Sequence, residues 1–148
     1  MIRKIIFTIP LILIFSFISK NNKFENYVET EIPYLRDLYI DMHKNPEISL
    51  MEKETSIKLA NELRKVGFEV EENFGGYGIV GILKNGEGPT ILYRTDMDAL
   101  PMEEKTGLPY ASKVITKNFD GNEVGTMHSC GHDMHMTCLL YTSDAADE

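Results

Sequence analysis

The sequence predicts an α/β fold in which helices pack against a central sheet. Apolar residues recur every three or four positions across residues 27–66, which is the period of a helix face. From residue 68 the period changes to two, which is typical of strands, and the run TILYR at residues 90–94 is almost continuously apolar. Helices followed by strands in this order indicate a layered structure.

The first helix is predicted over residues 27–43. Pro33 lies near its start, where a missing backbone N–H is tolerated, and Asn45-Pro46 ends it. Five residues form its apolar side: Val28, Ile32, Leu35, Leu38 and Met42.

A second helix is predicted over residues 49–66. Ser49 and Glu52 have the spacing of a capping box, in which each side chain bonds the other's backbone N–H. Gly67 follows the last apolar position and is the expected C-terminal stop.

Three strands are predicted next, over residues 68–74, 77–84 and 90–94. Gly75-Gly76 separates the first two as a turn, and Asn85-Gly86 is a strong turn signal before the third. The third strand should be buried on both faces, as in the middle of a sheet, because its apolar run is nearly unbroken.

The rest of the chain gives weaker signals. Residues 101–126 are rich in Pro, Gly and charge and are interpreted as loop with room for one short strand. Residues 134–140 are mostly apolar and could open a third helix.

Length and charge limit the function classes. The chain has 148 residues, enough for one domain at most, and 43% hydrophobic and 26% charged residues are ordinary for a globular protein. The formal net charge of −8 excludes nucleic acid as the expected partner, because binding a polyanion needs clustered Lys and Arg.

Residues 1–20 resemble an export signal rather than part of the fold. Arg3 and Lys4 precede a mostly apolar run, residues 5–18, which is shorter than the roughly 20 residues of a membrane span. The segment lacks a small-x-small cleavage site, so an uncleaved membrane anchor is the alternative. Both interpretations predict an exported protein, either periplasmic or extracellular, with a membrane tether in the second case.

Two carboxylates follow the third predicted strand in the motif TDMDALP. Asp96 and Asp98 are two positions apart, so in extended backbone both side chains point to one side. The carboxyl end of a central strand is where open α/β sheets place ligands. Paired carboxylates there favour a nearby cation, although an aspartate in a turn is a common structural feature.

A second motif, MHSCGHDMHM at residues 127–136, concentrates potential metal ligands. His128, Cys130 and His132 alternate, and extended backbone would project them onto one face. Gly131 lets the chain bend tightly beside a metal. His135 lies three positions after His132, as helix neighbours do, and Asp133 could cap that helix or hydrogen-bond a ligand histidine. Thiolate and imidazole suit Zn²⁺, and nearby carboxylates also suit Mn²⁺.

The two cysteines leave an ambiguity. Cys138 lies eight residues after Cys130, and in an exported chain the pair could oxidise to a disulfide. A thiolate held by a metal would resist oxidation, so the two interpretations compete.

Three stretches resemble the amidohydrolase branch of the zinc aminoacylase and carboxypeptidase metallopeptidases, which includes hippurate hydrolases, N-acyl-amino-acid hydrolases and auxin-conjugate hydrolases. They are DMHKNPEIS at 41–49, YRTDMDALPMEEKTGLPYAS at 93–112 and GTMHSCGHDMHMT at 125–137. The resemblance implies the N-terminal part of a metallopeptidase-type catalytic domain, with a central mixed sheet flanked by helices and incomplete here. Residues 21–137 would form this partial domain.

The resemblance also implies a chemistry. A metal-bound water would attack an amide carbonyl in a two-metal site, and the substrate would be an N-acyl-amino acid or a similar peptide-like amide. Cys130 and His132 are implied metal ligands, and Asp98 matches an acidic residue beside the catalytic centre. Asp96, His128 and His135 have no assigned role, the last two being candidates for contacts behind the ligands. The intact parent would be a homodimer.

Several parts that the family carries downstream are missing: the general-base glutamate, a glutamate ligand, two histidine ligands and the lid domain. The final string CLLYTSDAADE, residues 138–148, resembles the translation of a sequencing-library adapter and is expected to be a non-native tail. The chain is therefore expected to be an inactive fragment of a metal-dependent amidohydrolase. The alternative is a non-catalytic metal-binding module tethered by its N-terminus.

Overall fold

The computed structural model describes residues 28–144, with side chains up to residue 141. The chain divides into two compact units, Met1–Leu35 and Arg36–Glu148, and the described part of the first is a helical segment, residues 28–35. The export segment predicted for residues 1–20 lies outside the described residues. Between residues 28 and 144, no helix has both the length and the apolar character needed to cross a membrane.

In the described part of the chain, two helices are followed by two antiparallel hairpins and then by a third helix. Helix α1 covers residues 28–44, which confirms the first predicted helix. The elements that follow are α2 (Lys53–Lys65), β1 (Glu69–Phe74), β2 (Gly78–Ile82), β3 (Ile115–Lys117), β4 (Glu123–Gly125) and α3 (His132–Asp144). Strands β1 and β2 form one two-stranded antiparallel sheet and β3 and β4 form another, so the predicted α/β class is confirmed.

A small apolar core joins the three helices. Met42 and Met136 are nearly inaccessible to solvent, at 2% and 1% exposure. Leu38, Leu59 and Leu140 complete the cluster. Because α3 contributes both Met136 and Leu140, this core fixes the helix that begins at His132.

Helix α2 begins later than predicted and is capped by a different residue. It starts at Lys53 and its N-terminus receives no side-chain cap from Glu52, so the predicted capping box with Ser49 is wrong. The Glu47 carboxylate instead accepts the backbone N–H groups of Glu54 and Thr55, at 3.1 and 2.7 Å. A carboxylate from outside the helix can satisfy these first N–H groups as well as a local serine can.

The C-terminus of α2 ends as predicted. Gly67 has a φ of +87°, a conformation that glycine adopts without steric cost. The N–H of Phe68 donates to the carbonyl of Leu63 at 3.1 Å, which closes the last turn in the way expected of a glycine stop.

The prediction of a buried strand at residues 90–94 is wrong. The segment pairs with no strand among the described residues. Ile91, Leu92 and Tyr93 are 70%, 85% and 63% exposed. An apolar run shows that a segment can be buried, but burial also needs neighbouring strands, and none of the described strands lies beside this segment.

The segment 101–126 contains two short strands rather than the single strand allowed for. The turn between β3 and β4 is held by Asn118, whose side-chain oxygen accepts the N–H groups of Asp120 and Asn122 at 3.1 and 2.9 Å. Gly121 takes a φ of +80° in this turn. The Asp-Gly pair was the available sequence signal for this hairpin.

Two isolated bridges bring the two sequence motifs together. Ala99 bridges Ile48 in parallel, and its N–H donates to the carbonyl of Glu47 at 2.8 Å. Leu100 bridges Met127 in antiparallel fashion through a reciprocal pair of backbone hydrogen bonds of 2.9 and 3.1 Å. The aspartate motif therefore lies directly against the chain that carries the histidines.

Candidate metal centre

His132 is held by Asp98 through one ring nitrogen. Its Nδ1 lies 2.7 Å from the Asp98 backbone carbonyl oxygen and 3.1 Å from the Asp98 carboxylate Oδ1. Both atoms can only accept, so Nδ1 must carry the proton and donate it. In the neutral ring, Nε2 therefore keeps the lone pair that a metal ligand needs.

Cys130 lies two residues earlier, in the turn that leads into α3. Its side chain is exposed. Gly131 between them has a φ of +80°, and its carbonyl accepts the N–H of His135 at 3.0 Å as the first helical bond. The predicted tight bend at Gly131 is confirmed, and only a residue that tolerates positive φ allows the helix to begin immediately after the cysteine.

No disulfide links Cys130 to Cys138, and both side chains are exposed.

The two aspartates of the TDMDALP motif have different partners. Asp98 faces His132, whereas Asp96 accepts a hydrogen bond from the Arg94 guanidinium at 2.6 Å on the exposed side. Each carboxylate thus has its own nitrogen partner. Asp98 is the member of the pair that contacts the predicted ligand.

His128 is buried, with 5% of its surface exposed, and neither ring nitrogen has a hydrogen-bond partner among the described residues. Burial lowers the pKa of this ring, and the nearby rings of His43 and His132 lower it further, while Asp133 and Asp98 act in the opposite direction. The environment therefore favours the neutral form of His128, whose ring nitrogens lie unpaired among the described residues.

His135 lies one helical turn after His132, and the two ring centroids are 5.9 Å apart. Both rings line a cleft of about 410 Å³ that opens beside the exposed side of Asp96. The other lining residues are Arg94, Thr95, Cys138 and Leu139. The cleft offers both positive and negative side chains next to the predicted ligand His132.

A buried ionic bridge behind the centre was missed by sequence reasoning. His43 Nδ1 lies 2.6 Å from Asp133 Oδ2, and its Nε2 lies 3.2 Å from Glu104 Oε1. The three side chains are 6%, 2% and 0% exposed. No spacing rule connects these residues, because they are 61 and 90 positions apart in the chain.

The contacts in this bridge favour the charged forms of both His43 and Glu104. Burial alone would lower the pKa of His43, but hydrogen bonds to Asp133 and Glu104 outweigh it and raise the pKa above its ordinary value of 6.5. Burial would raise the pKa of Glu104, but donors from Thr106, the Ser112 N–H and His43 lower it below its ordinary value of 4.5. The hydrogen bonds to both carboxylates therefore favour the protonated form of His43.

Asp133 fills a different role from those predicted. It is already the second residue of α3, so it is not the cap; its Oδ1 accepts the N–H of Met134 at 2.9 Å within the first turn. Its Oδ2 pairs with His43 rather than with a predicted ligand histidine. The physical reason is that α1 places the His43 ring beside Asp133, so Oδ2 already has a hydrogen-bond partner.

The described residues fit part of a metal site. Cys130 offers a thiol, and His132 offers an oriented Nε2; both are ligands that borderline divalent ions prefer. Across residues 28–144, no group of three or more His, Cys, Asp or Glu side chains has the geometry to hold an ion. The described residues therefore offer at most part of a ligand set, from Cys130 and His132.

Residues 92–148 match the family described as Peptidase family M20/M25/M40. Hippurate hydrolase of Campylobacter jejuni is 44% identical over 100 residues, which cover 67% of this chain and 24% of that protein. Thermostable carboxypeptidase 2 of Saccharolobus solfataricus is 40% identical over 120 residues, covering 80% and 28%. N-acetyl-L-cysteine deacetylase of Bacillus subtilis is 42% identical over 100 residues, covering 67% and 22%.

Solved structures give the same relationship. The Bacillus subtilis YXEP protein, described as a dinuclear metal binding peptidase from the M20 family, aligns with a TM-score of 0.68 and 34% identity over 80% of this chain and 31% of its own. A candidate aminohydrolase from methicillin-resistant Staphylococcus aureus aligns with a TM-score of 0.71 and 31% identity, covering 85% and 32%. The chain thus spans about a third or less of the length of these relatives. By sequence and by fold, it belongs to peptidase family M20/M25/M40.

Proposed function

We propose that this chain is part of a metal-dependent amidohydrolase that cleaves N-acyl-amino acids or similar peptide-like amides. The observation that carries the proposal is the contact between Asp98 and His132, which fixes the histidine with Nε2 available to a metal. The relatives described as a hippurate hydrolase and an N-acetyl-L-cysteine deacetylase support the substrate class.

The proposed cofactors are two divalent ions, Zn²⁺ or Mn²⁺, in the intact parent. Bound ions would lower the pKa of a water and polarise the amide carbonyl. Cys130 and His132 would hold an ion, and Asp98 would keep the His132 ring in the ligating tautomer. The YXEP structure, described as dinuclear, supports two ions.

Complete hydrolysis would need groups beyond those described. Residues 28–144 provide no three-ligand group, and catalytic zinc usually has three protein ligands and a water. The general base and remaining ligands would come from other parts of the parent, so this chain alone would be inactive. The alternative, a complete metal-binding module, is less favoured because structural zinc normally takes four protein ligands.

Cobalt titration of the expressed chain tests the ligand assignment. Co²⁺ bound to a thiolate gives a ligand-to-metal charge-transfer band in the near ultraviolet. We expect Cys130→Ser to abolish this band and the matched variant Cys138→Ser to retain it. A band that survives Cys130→Ser and disappears with Cys138→Ser would reject the proposed centre.

The activity itself is tested on the intact parent protein. We expect hydrolysis of N-benzoyl- or N-acetyl-amino acids that is lost on chelation and restored by Zn²⁺ or Mn²⁺. Tight one-to-one Zn²⁺ binding that folds the present chain cooperatively would instead favour the module.

We also propose that the protein is exported and that the intact parent is a homodimer; neither proposal depends on the metal centre. Export, with or without a membrane tether, depends on residues 1–20, and N-terminal sequencing of protein from a secreting host would locate any cleavage. A homodimer is proposed for the intact parent, and sedimentation of the intact gene product would test it.

A further inference from the structure

We propose that His43 is a positioning residue for the metal centre, because it bridges Glu104 and Asp133 and thereby fixes the turn of α3 that begins with His132. The inference deepens the proposed function and rests on it. The bridge joins α1, the loop after the Leu100 bridge and α3. His43 is therefore the point at which three segments distant in sequence are held together.

The bridge is asymmetric, and its Asp133 side is the more sensitive. Glu104 has further donors, because its Oε1 accepts from the Thr106 hydroxyl and its Oε2 accepts the Ser112 N–H at 2.6 Å. Asp133 uses Oδ1 for the N–H of Met134, so Oδ2 depends on His43 at 2.6 Å. Without His43, Asp133 would keep one oxygen satisfied and leave a buried anionic oxygen without its cation.

The surroundings hold the His43 ring in one orientation. The Tyr39 ring lies tilted against it with a centroid distance of 5.5 Å, and the Tyr110 ring meets it edge-on at 5.4 Å. The ring therefore directs each nitrogen to a single carboxylate. A histidine held in this way fixes the Asp133 side chain relative to α1.

Two constraints then fix the ligand. Asp98 holds the His132 ring itself at Nδ1, and His43 holds the side chain of the next residue, Asp133. If Asp133 moves, the backbone of His132 moves with it, and the direction of Nε2 changes. Groups that orient a ligand in this manner commonly change metal affinity by about 10- to 100-fold when they are removed.

Two variants separate the halves of the bridge. His43→Asn places an amide donor near the position of Nδ1, facing Asp133, whereas His43→Gln places it near the position of Nε2, facing Glu104. We expect His43→Asn to bind Co²⁺ within about three-fold of the wild-type chain and His43→Gln to bind at least about ten-fold more weakly. If His43 had only a structural role, the Co²⁺ affinity of each variant would fall in proportion to the fall in its melting temperature. Equal Co²⁺ affinities, or a weaker affinity for His43→Asn, would overturn the inference.

A measurement without metal distinguishes this inference from the proposed function. The ¹⁵N shifts of the His132 ring report its tautomer, and we expect a clean Nδ1–H form in the wild type and His43→Asn but a mixture in His43→Gln. Failure of the wild type to bind Co²⁺ would reject the metal function, while the ring shifts would still decide the role of His43. If His43→Gln does not fold, Asp133→Asn takes its place, and wild-type Co²⁺ affinity in that variant would reject the inference.

Discussion

An imidazole ring has two nitrogens, and the partner of one decides what the other can do. In this protein Asp98 occupies Nδ1 of His132 with both its backbone and its carboxylate oxygen. The sequence placed the two residues in separate motifs, 34 positions apart, and only the structure shows that one orients the other.

We expect Asp98→Asn to weaken Co²⁺ binding by about ten-fold, because the carboxylate is lost while the backbone carbonyl still accepts from Nδ1. Isothermal titration of the purified chain would measure the change. Asp96→Asn is the matched control, since Asp96 pairs with Arg94 on the exposed side and its removal should leave the affinity unchanged. An equal loss in both variants would show that general charge, rather than the contact with His132, controls binding.

The His43 bridge makes stability depend on pH in a defined direction. The folded-state pKa of His43 is raised above 6.5, so its stabilising contribution is complete below about pH 6.5 and is lost as the pH rises through the folded pKa. The pKa of Glu104 is lowered below 4.5, so its contribution is present above about pH 4.5 and is lost as the pH falls through the folded value. Stability from this bridge should therefore be greatest between these limits.

Urea unfolding of the wild type and of His43→Asn would measure this effect. The difference in unfolding free energy between the two should be larger near about pH 5.5 than near about pH 9, because the wild type loses the His43 charge at the higher pH. A difference that stays constant over this range would contradict a charged His43.

At the level of residues, sequence patterns pointed to Cys130 and His132 as candidate ligands but not to the residues that support His132. His132 and Cys130 stand out because ligand types are concentrated around one glycine. His43 and Glu104 could not be paired in advance, because their contact depends on how α1 packs on α3.

The start of α2 shows how a capping pattern in the sequence can be replaced by a cap from a residue outside that pattern. Ser49 and Glu52 have capping-box spacing, but the turn at residues 48–51 includes Leu50 at a φ of +62° and moves the helix start to Lys53. The Glu47 carboxylate then reaches the free N–H groups.

We expect Glu47→Ala to destabilise the chain by about 1 kcal/mol, as the loss of a helix cap usually does, whereas Ser49→Ala should stay within about 0.5 kcal/mol. Chemical denaturation of both variants gives the comparison directly. If Ser49→Ala is the more harmful change, the capping box predicted from sequence forms in solution after all.

The hairpin of β3 and β4 depends on a close approach at Gly125. A Cβ at this position would lie 2.8 Å from the Cα and 3.0 Å from the backbone nitrogen of Glu103, and backbone atoms cannot move aside as a flexible side chain can. We therefore expect Gly125→Ala to lower the melting temperature, measured by circular dichroism. Glu123→Ala, an exposed position on the same strand, should melt close to the wild type. Equal melting temperatures for the two variants would show that the Glu103 backbone can yield.

Periodicity predicted the elements whose partners are near in sequence. Helix α1 and the β1–β2 hairpin were predicted from their spacing because each has its determinants within a few residues. The run at residues 90–94 was misjudged because its burial depends on strands elsewhere, and no local signal reports whether they are present.

At the scale of the whole molecule, self-association is expected at the exposed apolar run formed by Ile91, Leu92 and Tyr93. Contiguous exposed apolar side chains on a segment that pairs with no strand among the described residues favour association between copies. The net charge of −8 opposes association, so the outcome should depend on salt.

We expect the purified chain to self-associate as ionic strength rises. Leu92→Lys should reduce this, because it replaces the most exposed large apolar side chain among the described residues with a hydrated, charged one. Light scattering against salt concentration would measure the effect. Ile115→Lys, at a similarly exposed residue on β3, is the matched control and should change association less. A wild-type chain that remains monomeric and melts sharply in high salt would contradict the prediction.

The backbone pair between Leu100 and Met127 has a consequence for how the centre forms. This long-range pair helps to hold the two halves of the site together, so we expect helical content to appear earlier than cobalt affinity during refolding. A chain in which the helices have formed but the Leu100–Met127 pair is open would give a native far-ultraviolet circular dichroism spectrum and would not bind cobalt.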